Sequence, residues 1–403
     1  MGPPPGDHGT GAGRHRSGPG SHSHPGHQPG GPQLRFALRP RSPGGFHQPA
    51  GDHGSPGEPP PHDGPCRGGD GSHHRPERVP VVPAGGGRIG VFRRLLVPLD
   101  GSRLAESALP AAAELARRLE APVTLLHVLE VSAPATVHGH PHLRTEEQAR
   151  AYLQDAAGWM AARGVRVEGA VCPEVEGVAA TIARHAEASG ADLVVMTSHG
   201  QGGLRGLLYG RVAQQVLQRG KVPVLLLPPS DHGRQAVFTC RRLMVPLDGS
   251  EASETAVNPA THIGLACRAE LLFVWVVPTV QTIPGERGAA AKLMPTAAAA
   301  LLDVEATEAC RYLEQVASRV RAAGVAARTA VERGEPVQTL LETAARQGVD
   351  LIVMATHGRS GVSALWAGSV TSRVVAAGQR PVLLVRVSLP HTGQLEAGAD
   401  PSV

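Results

Sequence analysis

The sequence has no run of about 18 apolar residues, the length that a membrane-spanning helix requires. Its first residues, MGPPPGDHGTGAGRHR, contain no apolar stretch of the kind found in a secretory signal. The five cysteines include no CxxC pair and are odd in number, which favours a reducing compartment over a disulfide framework or a zinc site. These absences predict a cytoplasmic chain with no membrane partner.

Two common phosphate-binding loops are also missing. No GxxxxGK[ST] sequence is present, and no GxGxxG sequence follows a predicted strand. The stretch GTGAG at residues 9–13 lies in a segment without strand signals. Any phosphate site in this chain must therefore be built differently.

Residues 1–90 have few apolar side chains, whereas they hold 18 of the 36 prolines, 23 of the 50 glycines and 10 of the 20 histidines. Such a segment cannot bury enough apolar surface to offset its chain entropy, so we predict a disordered tail. Nine arginines against six acidic residues give this tail +3 of the total charge of +4. The rest is nearly neutral, and no nucleic-acid partner is predicted.

The remainder of the chain is one pattern written twice. RRLLVPLDGS (residues 93–102) returns as RRLMVPLDGS (residues 241–250), and a repeat of about 150 residues indicates duplicated domains. We predict domains at residues 91–230 and 239–388, with a disordered tail at 389–403. In each, five short Val- and Leu-rich strands alternate with helices, which predicts a parallel sheet covered on both faces. The first-domain strands are predicted at residues 95–99, 123–129, 165–171, 192–198 and 222–228.

Three local features extend this prediction. Ser102 is expected to cap a single helix over residues 102–121. The second copy has about ten extra residues, which we assign to a loop over residues 277–295. The histidines of TVHGHPHL (His138, His140 and His142) are expected to lie in a solvated loop rather than a metal site.

The loop after the fourth strand is repeated as well, as TSHGQGGLRGLLYGRV (residues 197–212) and ATHGRSGVSALWAGSV (residues 355–370). Its glycines let the backbone approach a ligand, and the following helix offers unpaired N–H groups to a phosphate. Ser369 adds a hydroxyl donor at that point. The same residues also fit an ordinary strand-to-helix turn with a serine cap, and the spacing does not decide between the two.

Several motifs in order give the chain a family resemblance. VPLDGS at the first strand, LLHV at the second, VVMTSHG or IVMATHGRSG at the fourth, and GSV before the PVLLV strand resemble the universal stress protein family, over nearly all of residues 93–387. The resemblance implies two tandem Rossmann-like (adenine nucleotide alpha hydrolase-like) domains with strand order 3-2-1-4-5. It also implies ATP or a related adenine nucleotide as ligand, with Mg²⁺ accompanying ATP, and a regulatory role in a stress response.

Nucleotide-binding members of that family carry the pattern G-x2-G-x9-G-[ST]. The second copy matches it except that Ala355 replaces the first glycine, and it keeps Gly368-Ser369. The first copy has Thr197 at the first glycine and Gly210-Arg211 at the end, so a guanidinium replaces the hydroxyl. Arg211 could pair with phosphate, fill the site itself or point to solvent. We therefore rank the second copy above the first for nucleotide binding.

The resemblance also implies which residues form each site. Asp100 and Asp248 end the first strands and correspond to the carboxylate that contacts adenine, although an Asp in a DGS turn is common in itself. The first-copy site comprises Pro98, Leu99, Asp100, Val128, Met196, His199, Gly200, Gly210 and Arg211. The second-copy site comprises Pro246, Leu247, Asp248, Val276, Met354, His357, Gly358, Gly368, Ser369 and Val370. The apolar members would be core residues in any case.

The histidines of the two loops do not predict an enzyme. No second group is evident that would orient a nucleophile at His199 or His357, so we predict no catalytic residue and no metal ligand, and at most slow ATP hydrolysis. The alternatives are a weak ATPase or phosphotransferase, and an interaction protein with vestigial sites. The resemblance further implies that the last strands of the two domains pair within one chain, and it leaves a homodimer open.

Overall fold

The computed structural model describes residues 92–137, 139–198, 211–230, 232–283, 285–357 and 370–387. The two predicted tails and most of both repeated loops, residues 199–210 and 358–369, lie outside these ranges.

The first unit alternates strands and helices as the repeat predicts. Its elements are β1 (Leu95–Pro98), α1 (Arg103–Glu106), α2 (Leu109–Leu119), β2 (Val123–Leu129), β3 (Thr136–Val137), β4 (His140–Pro141), α3 (Glu146–Ala161), β5 (Val167–Pro173), α4 (Val178–Ser189), β6 (Leu193–Thr197), α5 (Arg211–Arg219) and β7 (Val224–Leu227). The short strands β3 and β4 form a separate antiparallel hairpin.

A 3₁₀ turn (Gly233–Gln235) leads to the second unit, which follows the same plan. Its elements are β8 (Arg242–Pro246), α6 (Glu251–Glu254), α7 (Val257–Cys267), β9 (Glu270–Val277), α8 (Gly285–Leu293), α9 (Pro295–Ala322), β10 (Ala327–Arg333), α10 (Pro336–Arg346), β11 (Leu351–His357), α11 (Val370–Ala376) and β12 (Val382–Val387).

All strand pairs within the main sheet of each unit are parallel, in the order β5-β2-β1-β6-β7 and β10-β9-β8-β11-β12. The predicted Rossmann-like α/β class is confirmed. The last strands β7 and β12 pair antiparallel, with Leu225 opposite Leu383, so the ten strands form one continuous sheet. The sheet has a core on each face because successive side chains alternate: Leu95 and Val97 belong to one apolar cluster and Leu96 to the other.

This topology determines where a ligand site can form. Strand β1 has β2 on one side and β6 on the other. The sheet is therefore extended in two directions from β1, through β2 to β5 and through β6 to β7. A crevice opens beyond the carboxyl ends of the strands at such a switch point. The second unit has the same arrangement at β8, between β9 and β11.

The predicted single helix over residues 102–121 is wrong, because it is divided into α1 and α2. Ser102 does cap the first piece, since its Oγ accepts from the Ala105 backbone N–H at 3.1 Å. Pro110 then stands at the start of α2. A proline there has no N–H for the Glu106 carbonyl and its ring would clash with that carbonyl, so the first helix ends at Glu106.

The extra residues of the second unit are not a loop, as predicted, but largely helical. Residues 285–293 form α8, and α9 begins at Pro295 and continues for 28 residues. The stretch is rich in alanine, which favours helices even with little packing. Leu293, Leu301 and Val304 on these helices, and Met294 between them, are exposed.

The cysteines of the described ranges differ in state. Cys172, Cys240 and Cys267 are free thiols. Cys310 is disulfide-bonded.

Candidate functional site

A cavity of about 280 Å³ lies at the carboxyl ends of β1, β2 and β6 in the first unit. These strands are neighbours in the sheet, so residues distant in sequence meet at one edge. Six residues predicted for the first-unit site line the cavity: Pro98, Leu99, Asp100, Val128, Met196 and Arg211. Helix α1 contributes Leu104 and Ala105, and the β3–β4 hairpin contributes Val137.

The cavity combines an apolar wall with a few charged groups. Leu99, Val128 and Met196 are buried and form part of the wall. Asp100 supplies a carboxylate, and Arg211 supplies a guanidinium at the first residue of α5. Such a surface can cover a flat apolar ring, accept a hydrogen bond from an amino group and pair with an anion.

The turn after β1 fixes the position of Asp100. Gly101 has a φ of +88°, a conformation that suits glycine, and it turns the chain into α1. The Ser102 backbone N–H donates to Asp100 Oδ1 at 2.9 Å. The carboxylate is therefore held beside the start of α1, whose next turn lines the cavity.

His127 is a cavity residue that the sequence analysis did not assign to the site. Its side chain is buried, and Nδ1 lies 2.8 Å from the Leu99 carbonyl oxygen, so Nδ1 carries a proton and donates. Its Nε2 is buried and has no hydrogen-bond partner among the described residues. His127 belongs to the LLHV motif, but a histidine in an apolar strand is usually interpreted as a core residue and not as part of a binding site.

The prediction that the hairpin histidines are solvated is wrong for His142, which is buried. Its Nε2 lies 3.2 Å from Glu130 Oε1 and its Nδ1 lies 3.1 Å from the Leu143 carbonyl oxygen. Its ring centroid is 6.3 Å from that of His127. The hairpin is thus held against the end of β2. His138 lies outside the described residues, and His140 is partly buried.

The second unit brings its predicted residues to the equivalent strand ends but surrounds them differently. Asp248 accepts from the Ser250 backbone N–H at 3.1 Å and from Ser250 Oγ at 2.6 Å. Burial opposes ionisation of Asp248, but the hydrogen bonds from Ser250 and Ser253 outweigh it and lower the pKa of Asp248. Pro246 ends β8, Leu247 and Met354 are buried, and Val276 is partly buried.

A tryptophan occupies the place of His127 in this unit. A Cβ built on Gly249 would lie 2.7 Å from Trp275 Cη2, so the indole packs directly over the Asp248–Gly249 turn. The same ring meets Tyr312 edge-on, with centroids 5.6 Å apart. The glycine of this turn therefore lies under an aromatic ring in the second unit and under the Leu143 side chain in the first.

Several predicted site residues cannot be placed against these two turns. The predicted residues outside the described ranges are His199, Gly200, Gly210, Gly358, Gly368, Ser369 and the side chain of His357. Val370 is the first residue of α11. In the described part of the chain, no group of three or more His, Cys, Asp or Glu side chains is arranged to hold a metal ion.

A family model of the "Universal stress protein family" matches residues 92–228 and again residues 239–386. These two ranges cover well over half of the chain. The chain belongs to the universal stress protein family. The family supports a role in the stress response, and the chain is a tandem member with two such domains. In the described ranges, no helix has both the length and the apolar character needed to cross a membrane.

Curated relatives and solved structures agree with this assignment. A universal stress protein of Mycolicibacterium smegmatis is 30% identical over 306 residues, which cover 72% of this chain and 96% of the relative. Universal stress protein YxiE of Bacillus subtilis is 30% identical over 149 residues and aligns over 36% of this chain and 98% of its own. A universal stress protein structure from Archaeoglobus fulgidus covers 74% of this chain and 97% of its own at a TM-score of 0.52 and 18% identity, which shows a shared fold.

Proposed function

We propose that this tandem universal stress protein is a regulatory module that binds an adenine nucleotide, ATP or a close relative, in the first-unit cavity. The observation that carries the proposal is the meeting of Asp100, an apolar wall and Arg211 around one cavity at a topological switch point. Ligands of open parallel sheets bind at this place.

The chemistry of the cavity fits the parts of a nucleotide in order. The adenine ring would lie against Val128 and Met196, and the Asp100 carboxylate would accept from its exocyclic amino group. The volume of about 280 Å³ is close to the lower limit of about 300 Å³ for small-molecule pockets, so it suits a nucleoside better than a whole triphosphate. The phosphates would extend toward Arg211 at the start of α5.

Mg²⁺ would bind together with the nucleotide rather than at a site built from protein ligands alone. This ion keeps several waters and is commonly held by substrate phosphates with one or two carboxylates. We therefore expect the metal to sit on the phosphates outside the apolar part of the cavity, where it shields their charge. The proposal includes no catalytic residue, so bound ATP is expected to remain intact.

We also propose that the two units act as an internal pair. The antiparallel ladder between β7 and β12 supports this, because it covers both sheet edges and removes the association cost of a dimer of separate chains. Light scattering is expected to give the mass of one chain, 41.8 kDa, and a doubled mass would indicate that a further homodimer forms.

The test of the binding proposal has two stages. Mass spectrometry of the purified full chain is expected to find an adenine nucleotide, and calorimetry of the stripped protein is expected to give micromolar affinity for ATP. Asp100→Ala should weaken ATP binding at least about tenfold, because it removes the acceptor of a hydrogen bond to a charged oxygen, which contributes roughly 1.5–3 kcal/mol. A protein that carries no nucleotide and gives no heat with ATP would refute the proposal.

A second pair of variants asks which unit binds. The loop pattern ranks the second unit first and predicts that Ser369→Ala weakens binding more than Arg211→Ala. The first-unit cavity predicts instead that Arg211→Ala weakens ATP binding more than adenosine binding, because only ATP carries phosphates. The ratio of the two effects decides between the units, and phosphate release measured in parallel tests for slow hydrolysis.

A further inference from the structure

The segment between the two family domains folds back onto the first unit. Arg234, in the 3₁₀ turn of this linker, places one terminal nitrogen 2.9 Å from Glu106 Oε1 and the other 2.7 Å from Asp155 Oδ2. The Arg234 and Glu106 side chains are only 19% and 15% exposed, whereas Asp155 is 71% exposed. The pair with Glu106 is therefore the shielded one, and such pairs are more sensitive to loss of one partner than surface pairs.

The linker turn also packs directly on helix α1. Gly233 is buried with a φ of +52°, and a Cβ there would lie 3.4 Å from the Arg103 carbonyl oxygen. Glu106 is the last residue of α1, and Leu104 and Ala105 in the same helix line the cavity. A helix of four residues has little stability of its own. Its position must come from contacts such as the one with Arg234.

Tyr152 extends this contact toward the cavity. Burial, followed by the nearby carboxylates of Glu106 and Asp100, raises the pKa of Tyr152, so its hydroxyl stays protonated. This hydroxyl is buried and makes no hydrogen bond of good geometry with the described residues. The buried Tyr152 hydroxyl therefore adds a neutral polar group beside the Glu106 carboxylate that Arg234 binds.

The second unit stabilises the equivalent carboxylate by itself. Glu254 accepts from the Tyr312 hydroxyl at 2.9 Å and from Arg319 at 2.9 Å, and both partners belong to α9 of the same unit. In the first unit the arginine comes instead from the linker, 128 residues away in sequence from Glu106. The first unit alone depends on the linker for this contact.

We propose that Arg234 is a positioning residue for the first-unit cavity, and that it couples ligand binding there to the linker between the two domains. The inference rests on the proposed nucleotide binding. Arg234 fixes Glu106 and with it the α1 wall that the ligand contacts. Because coupling between two sites is reciprocal, a ligand held against α1 must in turn stabilise the linker turn.

The test compares Arg234→Gln with Arg319→Gln, its matched control in the second unit, in the full-length protein. Calorimetry with ATP is expected to show at least about a fivefold loss of affinity for Arg234→Gln and no loss for Arg319→Gln, even if both variants lower Tm. Glu106→Gln should reproduce the loss of ATP affinity. The double variant should bind ATP no more weakly than the single variant with the larger loss, because both substitutions break the same ion pair. Additive losses would place the action of Arg234 elsewhere and overturn the inference.

Hydrogen exchange supplies a readout that a merely structural contact would not change. The amides of Gln235 and Ala236 form the turn, donating to the His232 and Gly233 carbonyls. ATP is expected to slow their exchange in the wild-type chain and in Arg319→Gln but not in Arg234→Gln. If the wild type binds ATP with no such slowing and Arg234→Gln binds equally well, the coupling is refuted while nucleotide binding stands. If the wild type binds no ATP, the proposed function itself fails.

Discussion

The two units share a strand order but differ at the turn that follows their first strands. In the first, His127 stands at the end of β2 and a cavity opens beside Asp100. In the second, Trp275 takes that position and covers Gly249. The strands agree because each must be apolar on both faces, whereas a side chain at a strand end can change without loss of the core. The two units thus keep the same strands while the side chain at this strand end differs.

The aromatic cover predicts the largest stability difference between the units. Trp275→Ala removes the ring from Gly249 and from its edge-on contact with Tyr312, and we expect a loss of about 3 kcal/mol, at the low end for large aromatic truncations because Trp275 is only partly buried. Denaturant unfolding of the full chain measures it. Trp275→Phe keeps a ring and should cost about 1 kcal/mol. If Trp275→Ala cost less than about 1 kcal/mol, the packing of the ring on Gly249 and Tyr312 would not stabilise the fold as proposed.

The paired glycines test the same contrast at the backbone. Gly249→Ala and Gly101→Ala both place alanine at positive φ, +78° and +88°, which costs about 1–2 kcal/mol. Only the new Cβ at Gly249 would also meet a rigid ring, 2.7 Å from Trp275, whereas at Gly101 it would meet the flexible Leu143 side chain at 3.1 Å. We expect Gly249→Ala to cost about 1 kcal/mol more, as measured by thermal unfolding. In a Trp275→Ala background this excess should disappear, and its persistence would exclude the ring as the cause.

The strands could be predicted from sequence because their apolar runs are continuous, as in residues 95–97, where every side chain is buried. Asp100, Val128 and Met196 could be brought together as well, since the carboxyl ends of neighbouring parallel strands meet at one edge. The break between α1 and α2 was missed because the apolar stripe runs past Pro110 without interruption. A stripe reports which face is buried and not whether the backbone is continuous.

Other features of the site depend on contacts that no local pattern contains. His142 looks like a solvated loop histidine in TVHGHPHL, and only its approach to Glu130 and His127 buries it. Arg234 stands in a polar linker, and its contact with Glu106 spans 128 residues. Residue spacing cannot predict contacts between side chains so far apart in sequence. The residues at the strand ends could therefore be predicted, whereas the contact of Arg234 with α1 could not.

Asp192 and Asp350 occupy matching places before the fourth strands, and we expect them to respond oppositely to pH. Burial raises the pKa of Asp192 despite hydrogen bonds from the Arg93 and Arg94 backbone. Burial also opposes ionisation of Asp350, but hydrogen bonds from Thr239 and from the Arg241 and Arg242 backbone outweigh it and lower the pKa of Asp350.

The sign of each contribution follows from linkage. Asp350 stabilises the fold above its unfolded pKa of about 3.9, and this stability is lost as pH falls through its lower folded pKa. For Asp192, stability is instead lost as pH rises through its raised folded pKa. At pH 7, Asp350→Asn should therefore destabilise by about 1 kcal/mol more than Asp192→Asn, with a difference that vanishes in acid. If the two variants lost equal stability both at pH 7 and in acid, the opposite pKa shifts of Asp350 and Asp192 would be contradicted.

Thr239 accounts for the smallest expected effect, because among the described residues it supplies the hydrogen bond that distinguishes Asp350 from Asp192. Its Oγ1 donates to Asp350 Oδ1 at 2.6 Å, whereas the bonds from the backbone are present in both units. Thr239→Val removes this donor at an exposed position, so we expect a loss of only about 0.5–1 kcal/mol at pH 7. The pKa of Asp350, followed by NMR titration, should rise toward that of Asp192, because burial would then be opposed by backbone donors alone. A pKa unchanged by Thr239→Val would assign the difference between the units to their unequal burial instead.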